Sequence, residues 1–259
     1  MTLRETLAKE ISLKEINQTM DFLVDEVGER LSGTPEMRKA TEYIRDRLRG
    51  YGIDAWIDHF PMYMSYPKEA ALKMTSPEEI EFKARPVGHI KNTGSDGIEG
   101  ELLYLGSGGY EDYEGVDPTG KIILTDMTWS PGRPEKARIA EELGAKALII
   151  MNWGKSDSDL IQMGAVKHQW GNPTPKTDSE IVDIPVISIS RKDGERLEAY
   201  CKKGPVKIWM TAEATREWIT ADQTMAFVKG GKSNGQFVVV GSHVDAWGKS
   251  AMCNASRCV

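Results

Sequence analysis

The sequence predicts an α/β protein in three stretches. A helix-rich opening comes first, a strand-rich middle block spans about residues 70–213, and an α/β signal returns from 214 to 259. Three observations carry this: helical spacing of apolar residues before Gly50, five short apolar runs between 100 and 211, and the unbroken run Phe237-Val238-Val239-Val240-Gly241. At 259 residues the chain has room for about two domains of ~100–200 residues each.

Ile16, Met20, Leu23, Val24, Val27 and Leu31 recur at three- and four-residue steps, which predicts a helix over 12–31. Ser32-Gly33 ends it. Thr34-Pro35-Glu36 then opens a second helix, with a hydroxyl cap, proline in the first turn and an acid near the positive end of the dipole. Its buried stripe is Ala40, Tyr43, Ile44 and Leu48, and Gly50 and Gly52 stop it. Residues 53–60 alternate as a strand does, and His59 belongs to that strand.

In the middle block the strand candidates are 100–105, 120–125, 146–151, 184–189 and 205–211. Helices are expected at 135–143 and 191–202, the latter with Leu197 and Tyr200 inward. The polar stretch 152–182, with His168, reads as a long loop. Trp209 and Trp218 are expected in the core. Residues 218–228 alternate in part, and the continuous apolar run 237–241 has the composition of a central strand buried on both faces.

Composition excludes several functions. Lys and Arg number 33 against 39 Asp and Glu, a net charge of −6, which argues against a nucleic-acid or anionic-membrane surface. The N-terminus lacks an apolar signal region and no run approaches the ~20 apolar residues of a membrane span. Cys201, Cys253 and Cys258 are too few and too scattered for a disulfide framework. A cytoplasmic protein is expected. Leu105-Gly106-Ser107-Gly108-Gly109 lacks the Lys-Ser/Thr of a phosphate loop and reads as a turn.

The chemistry concentrates at Gly241-Ser242-His243-Val244-Asp245, directly after the apolar run. Ligands of open α/β sheets collect at the carboxyl ends of strands. Residues two apart in extended backbone face the same way, so Asp245 can orient the His243 ring for a metal. Alone, His-x-Asp is a weak pattern that a surface pair satisfies equally well.

The longer run VVVGSHVDAWGKSAMCNAS resembles the metal-binding core of the co-catalytic zinc aminopeptidase family, which includes glutamate carboxypeptidase-like members. Residues Gly120 to Leu124, Lys136-Ala137 through Gly144 to Ile150, and Ile184 to Ser190 resemble the protease-associated domain that many members carry as an insertion. The opening Gly33-Thr34-Pro35-Glu36 looks like the family's start. The resemblance implies an incomplete zinc-exopeptidase-like α/β sheet domain (residues 1–69 and 214–259) with an inserted β-rich protease-associated domain (70–213). It makes His243 a zinc ligand and Asp245 its catalytic orienting partner, with zinc polarising a scissile carbonyl and activating water.

Two departures qualify this. Cys253 stands where the family has its metal-bridging aspartate; a thiolate binds zinc but lacks the two oxygens that span two ions. Arg257 replaces a glycine, while Asn254, Ala255 and Ser256 match. The general base, the further acidic ligands and the last histidine fall beyond Val259. The expectation is the N-terminal portion of a zinc exopeptidase acting on peptides, inactive as this chain alone, with an uncovered sheet edge that pairs with another chain. The alternative is a non-catalytic protein whose protease-associated domain binds peptides or a partner; a split enzyme is a third reading. A Glu-Glu, Asp and His continuation in the coding sequence past Val259 separates the first from the second.

Overall fold

The computed structural model describes residues 2–167, 171–231 and 235–247. The chain divides into two compact units, one formed by residues up to Met62 together with those from Ile219 on, the other by Tyr63–Trp218.

In the first unit, helix α1 (Leu3–Glu10) opens on a reciprocal cap. Thr2 Oγ1 accepts from the Glu5 N–H, and Glu5 Oε2 accepts from the Thr2 N–H at 2.8 Å. The single helix expected over 12–31 is instead α2 (Leu13–Asp21) followed by a π-helical turn, Phe22–Val27, that ends at Gly28 with φ 76°. Apolar spacing alone does not separate these, because a π-turn only rotates the stripe by one residue. Helix α3 (Pro35–Gly50) starts as its sequence dictates, with Thr34 Oγ1 accepting from Met37 N–H at 3.2 Å and Pro35 in the first turn. Met37, Ala40 and Thr41 form its buried face. Strands β1 (Asp54–Met64) and, later in the chain, β10 (Glu217–Phe227) make a two-stranded sheet, most of it in this unit.

The run 237–240 departs from expectation. It pairs with nothing among the described residues, and Phe237, Val238, Val239 and Val240 are 79–93% exposed. An apolar run becomes a strand only when a neighbouring backbone supplies its hydrogen bonds. The described part of this unit offers it none.

The second unit is built on an eight-stranded mixed sheet. Its strands are β2 (Pro67–Ser76), β3 (Ile80–Phe82), β4 (Ala84–Pro86), β5 (Ile98–Tyr104), β6 (Ile122–Asp126), β7 (Ala147–Met151), β8 (Val186–Ile189) and β9 (Val206–Ala214). Their order is β3-β2-β9-β5-β6-β7-β8-β4. Strands β5 to β8 are parallel, and β3, β2, β9 and β4 join antiparallel. Ile122–Thr125, all of β7 and all of β8 are buried, which explains their unbroken apolar sequences: strands covered on both faces have no polar side to show. Helices α4 (Arg133–Glu142) and α5 (Arg191–Cys201) supply cover, with Ala137, Ile139, Ala140 and Leu197 in the common core. Trp218, expected in the core, is instead 43% exposed, its ring 5.3 Å from that of Tyr63. The stretch 152–182 is mostly irregular, with one 3-10 turn at Asp178–Glu180 and a bridge from Gly88 to Ala165. No helix of the described residues is long and apolar enough to cross a membrane.

Candidate functional site

His243 and Asp245 come together as their spacing implies. His243 Nδ1 lies 3.0 Å from Asp245 Oδ1 and 3.2 Å from the Asp245 carbonyl, and both side chains are partly exposed. A carboxylate on Nδ1 fixes the ring and its tautomer and leaves Nε2 as the free ligand atom, the arrangement of metal-binding histidines with a carboxylate behind them.

The segment carrying the pair is pinned by Arg30, a residue the sequence did not single out. Arg30 is 2% exposed. Its Nε donates to the Val244 carbonyl at 2.6 Å, and its Nη1 donates to the Gly28 carbonyl and to the Leu23 carbonyl, which also accepts the Gly28 N–H that closes the π-turn. Its backbone forms an antiparallel bridge with Ala246, with both N–H···O distances 3.1 Å. Gly28 at positive φ and the π-turn therefore have a local purpose: they aim carbonyls at a guanidinium that holds the His-x-Asp backbone.

His59 is a strand histidine, as expected, but its surroundings were not legible. Its Nδ1 is 2.7 Å from Asp222 Oδ1, and Arg38 Nε donates to Asp222 Oδ2 at 2.9 Å. The Asp222 side chain is only 6% exposed, so its charge is held by these two partners. Replacing it by alanine removes the acceptor of both, and the expected cost is about 1–3 kcal/mol. Urea denaturation of Asp222→Ala checks this. An unchanged midpoint would show that the cluster contributes nothing.

Among the described residues no three His, Cys, Asp or Glu side chains converge to hold a metal ion. What they offer zinc is one imidazole with its orienting carboxylate, which does not amount to a site. Cys253, His168 and the Asn254-Ala255-Ser256 segment lie outside the described residues. Cys201 is no nucleophile: burial pushes its thiol up to about 11, so it stays protonated near neutral pH.

In fold and sequence the chain is similar to the zinc aminopeptidase and carboxypeptidase-like exopeptidases that carry a protease-associated domain. The PA domain family model matches residues 98–197. The chain is 26% identical to carboxypeptidase Q of Bos taurus over 247 residues, covering 91% of this chain and 50% of that protein. Its fold is shared with the aminopeptidase from Aneurinibacillus sp. strain AM-1, with a TM-score of 0.67 at 24% identity over 94% of this chain and 55% of the other. A zinc aminopeptidase from Bacillus subtilis matches with a TM-score of 0.60 at 23% identity, over 82% and 46% of the two chains. The chain spans about half the length of the curated relatives it matches.

Proposed function

We propose that the chain is the N-terminal portion of a zinc-dependent exopeptidase that hydrolyses peptide bonds, and that these 259 residues alone are inactive. The observation that carries the reading is the Arg30-pinned His243–Asp245 pair, on a chain similar over nine-tenths of its length to a carboxypeptidase. In this reading His243 would hold zinc through Nε2 with Asp245 orienting its ring, Cys253 would be a further ligand, and the zinc would activate water and polarise the scissile carbonyl. Its partners are a peptide substrate and a second chain that pairs with the exposed run 237–240. It does not bind nucleic acid or a membrane, and it works in the cytoplasm.

Purified chain assayed on amino-acyl chromogenic substrates, with zinc measured by elemental analysis, tests this. No turnover and substoichiometric zinc are expected. Turnover abolished by a chelator would overturn the claim of inactivity, and turnover that survives His243→Ala would overturn the assignment of that ligand.

A second reading has its own support. A protease-associated domain protein that binds peptides without cleaving them is favoured by exposed aromatic surface on the middle unit, where Trp129 is 88% exposed.

A further inference from the structure

Trp129 and Trp153 stand side by side on the second unit, their ring centroids 5.0 Å apart and the planes tilted by 48°. Single exposed apolar residues are ordinary, but a solvent-facing pair of the largest aromatic side chains marks a contact surface. Trp129 follows β6 and Trp153 follows β7, at the carboxyl ends of adjacent parallel strands, where α/β sheets gather their ligands.

Beside Trp129 lies a cleft of about 520 Å³, with Tyr110 and Ile139 on its walls and the backbone of Gly109 and Gly132 at its edge. Glu135 is the one charged side chain lining it among the described residues. Both framing loops are fixed from beneath. The ammonium of Lys136, a fully buried residue, donates to the Ser107 carbonyl in the loop after β5 and to Thr128 Oγ1 in the loop after β6. The Thr128 hydroxyl in turn reaches the Ser130 and Pro131 carbonyls, and Asp112 Oδ2 accepts from Ser107 Oγ and the Gly109 N–H. A cleft held this way loses little freedom when a ligand enters.

The charge around it selects the ligand. Arg138, whose guanidinium lies over the Tyr110 ring, is shared between Glu135 and Glu142, which leaves that trio net negative, and Glu111 and Asp112 on the neighbouring 3-10 turn outnumber the single Lys136 ammonium beneath the loops. No lysine or arginine lines the cleft. Indole is the best aromatic face for a cation, and a guanidinium stacks on it flat.

We propose that this cleft docks a cationic side chain, arginine before lysine, of an extended peptide segment, with the guanidinium stacked on Trp129 and its edge toward Glu135. The site involves the middle unit alone and needs no metal, so it stands or falls separately from the exopeptidase reading.

The test uses the 259-residue chain in the presence of a chelator. It is titrated by calorimetry and tryptophan fluorescence with N-acetylated, C-amidated Ala-Arg-Ala and with the same peptide carrying lysine, norleucine or glutamate. Arginine is expected to bind tightest and glutamate weakest, with affinity falling as salt is raised. Trp129→Ala, at a position 88% exposed, is expected to weaken the arginine peptide about tenfold. Glu135→Gln is expected to weaken the arginine peptide several-fold and leave norleucine unchanged, and Trp56→Ala in the other unit to change nothing. Equal binding of norleucine and arginine, undiminished binding by Trp129→Ala, or no binding of any peptide would each overturn the proposal.

Discussion

Gly194→Ala is expected to lower the stability of the second unit by about 3 kcal/mol, at the upper end of overpacking substitutions. Gly194 is buried in α5, and a Cβ built there would sit 2.3 Å from the Met151 Cβ and 2.8 Å from its Sδ. The sulfur can swing away. The Met151 Cβ cannot, because it is fixed to the backbone of β7, which is paired on both sides by β6 and β8. Alanine's better helix propensity returns less than 1 kcal/mol, so the clash wins. The helix must lift off the sheet, and it takes with it Leu197, which is fully buried. For a unit of this size ~3 kcal/mol corresponds to a fall of roughly 6–12 °C in melting temperature. Calorimetry on the full chain reads it. A melting temperature within a degree or two of the parent would mean that α5 is not held against β7 as closely as described.

That contact also shows what a sequence conceals. Strands β6, β7 and β8 were legible because burial on both faces leaves them no polar positions. Strand β2 was not, since Pro67, Lys68, Glu69 and Lys73 sit on its exposed or half-exposed positions while Leu72 and Met74 alone are buried, and the three-residue β3 and β4 are too short to show any period. The run Phe237–Val240 is as apolar as β6 and pairs with no strand among the described residues, because composition permits a strand and pairing makes one. The same division governs the site. His243 and Asp245 declare themselves by spacing, as neighbours two apart. Arg30 meets Val244 across 214 residues and His59 meets Asp222 across 163, and no local pattern announces either. Gly194 belongs with these: in sequence it is a poor helix residue, and only the partner strand explains it.

Lys136 carries the second large effect, and it is read in pH. Burial lowers its ammonium from the ordinary lysine value to about 8, with Asp126 and Asp112 pulling weakly the other way. The sign follows from where the protons are. Below about pH 8 the lysine is charged both folded and unfolded, and the folded state bears the full cost of a buried charge. Between about 8 and 10.5 the folded chain has released the proton while the unfolded chain keeps it, so stability rises with pH. Above 10.5 both are neutral and the cost has gone. A shift of this size is worth up to about 3 kcal/mol across that window. Lys136→Met keeps the length of the side chain and removes the titration. It also strips a donor from the Ser107 carbonyl and Thr128 Oγ1, a loss that does not vary with pH. The stability of Lys136→Met relative to the parent is therefore expected to be most favourable at pH 7 and to worsen by up to about 3 kcal/mol by pH 10.5. Taking the difference cancels every other group, including Tyr113, whose phenol burial pushes up to about 12. Urea titrations of both chains at intervals of half a pH unit give the curve. A flat difference would mean that the ammonium reaches water, and with it that the loops framing the Trp129 cleft are not locked from below.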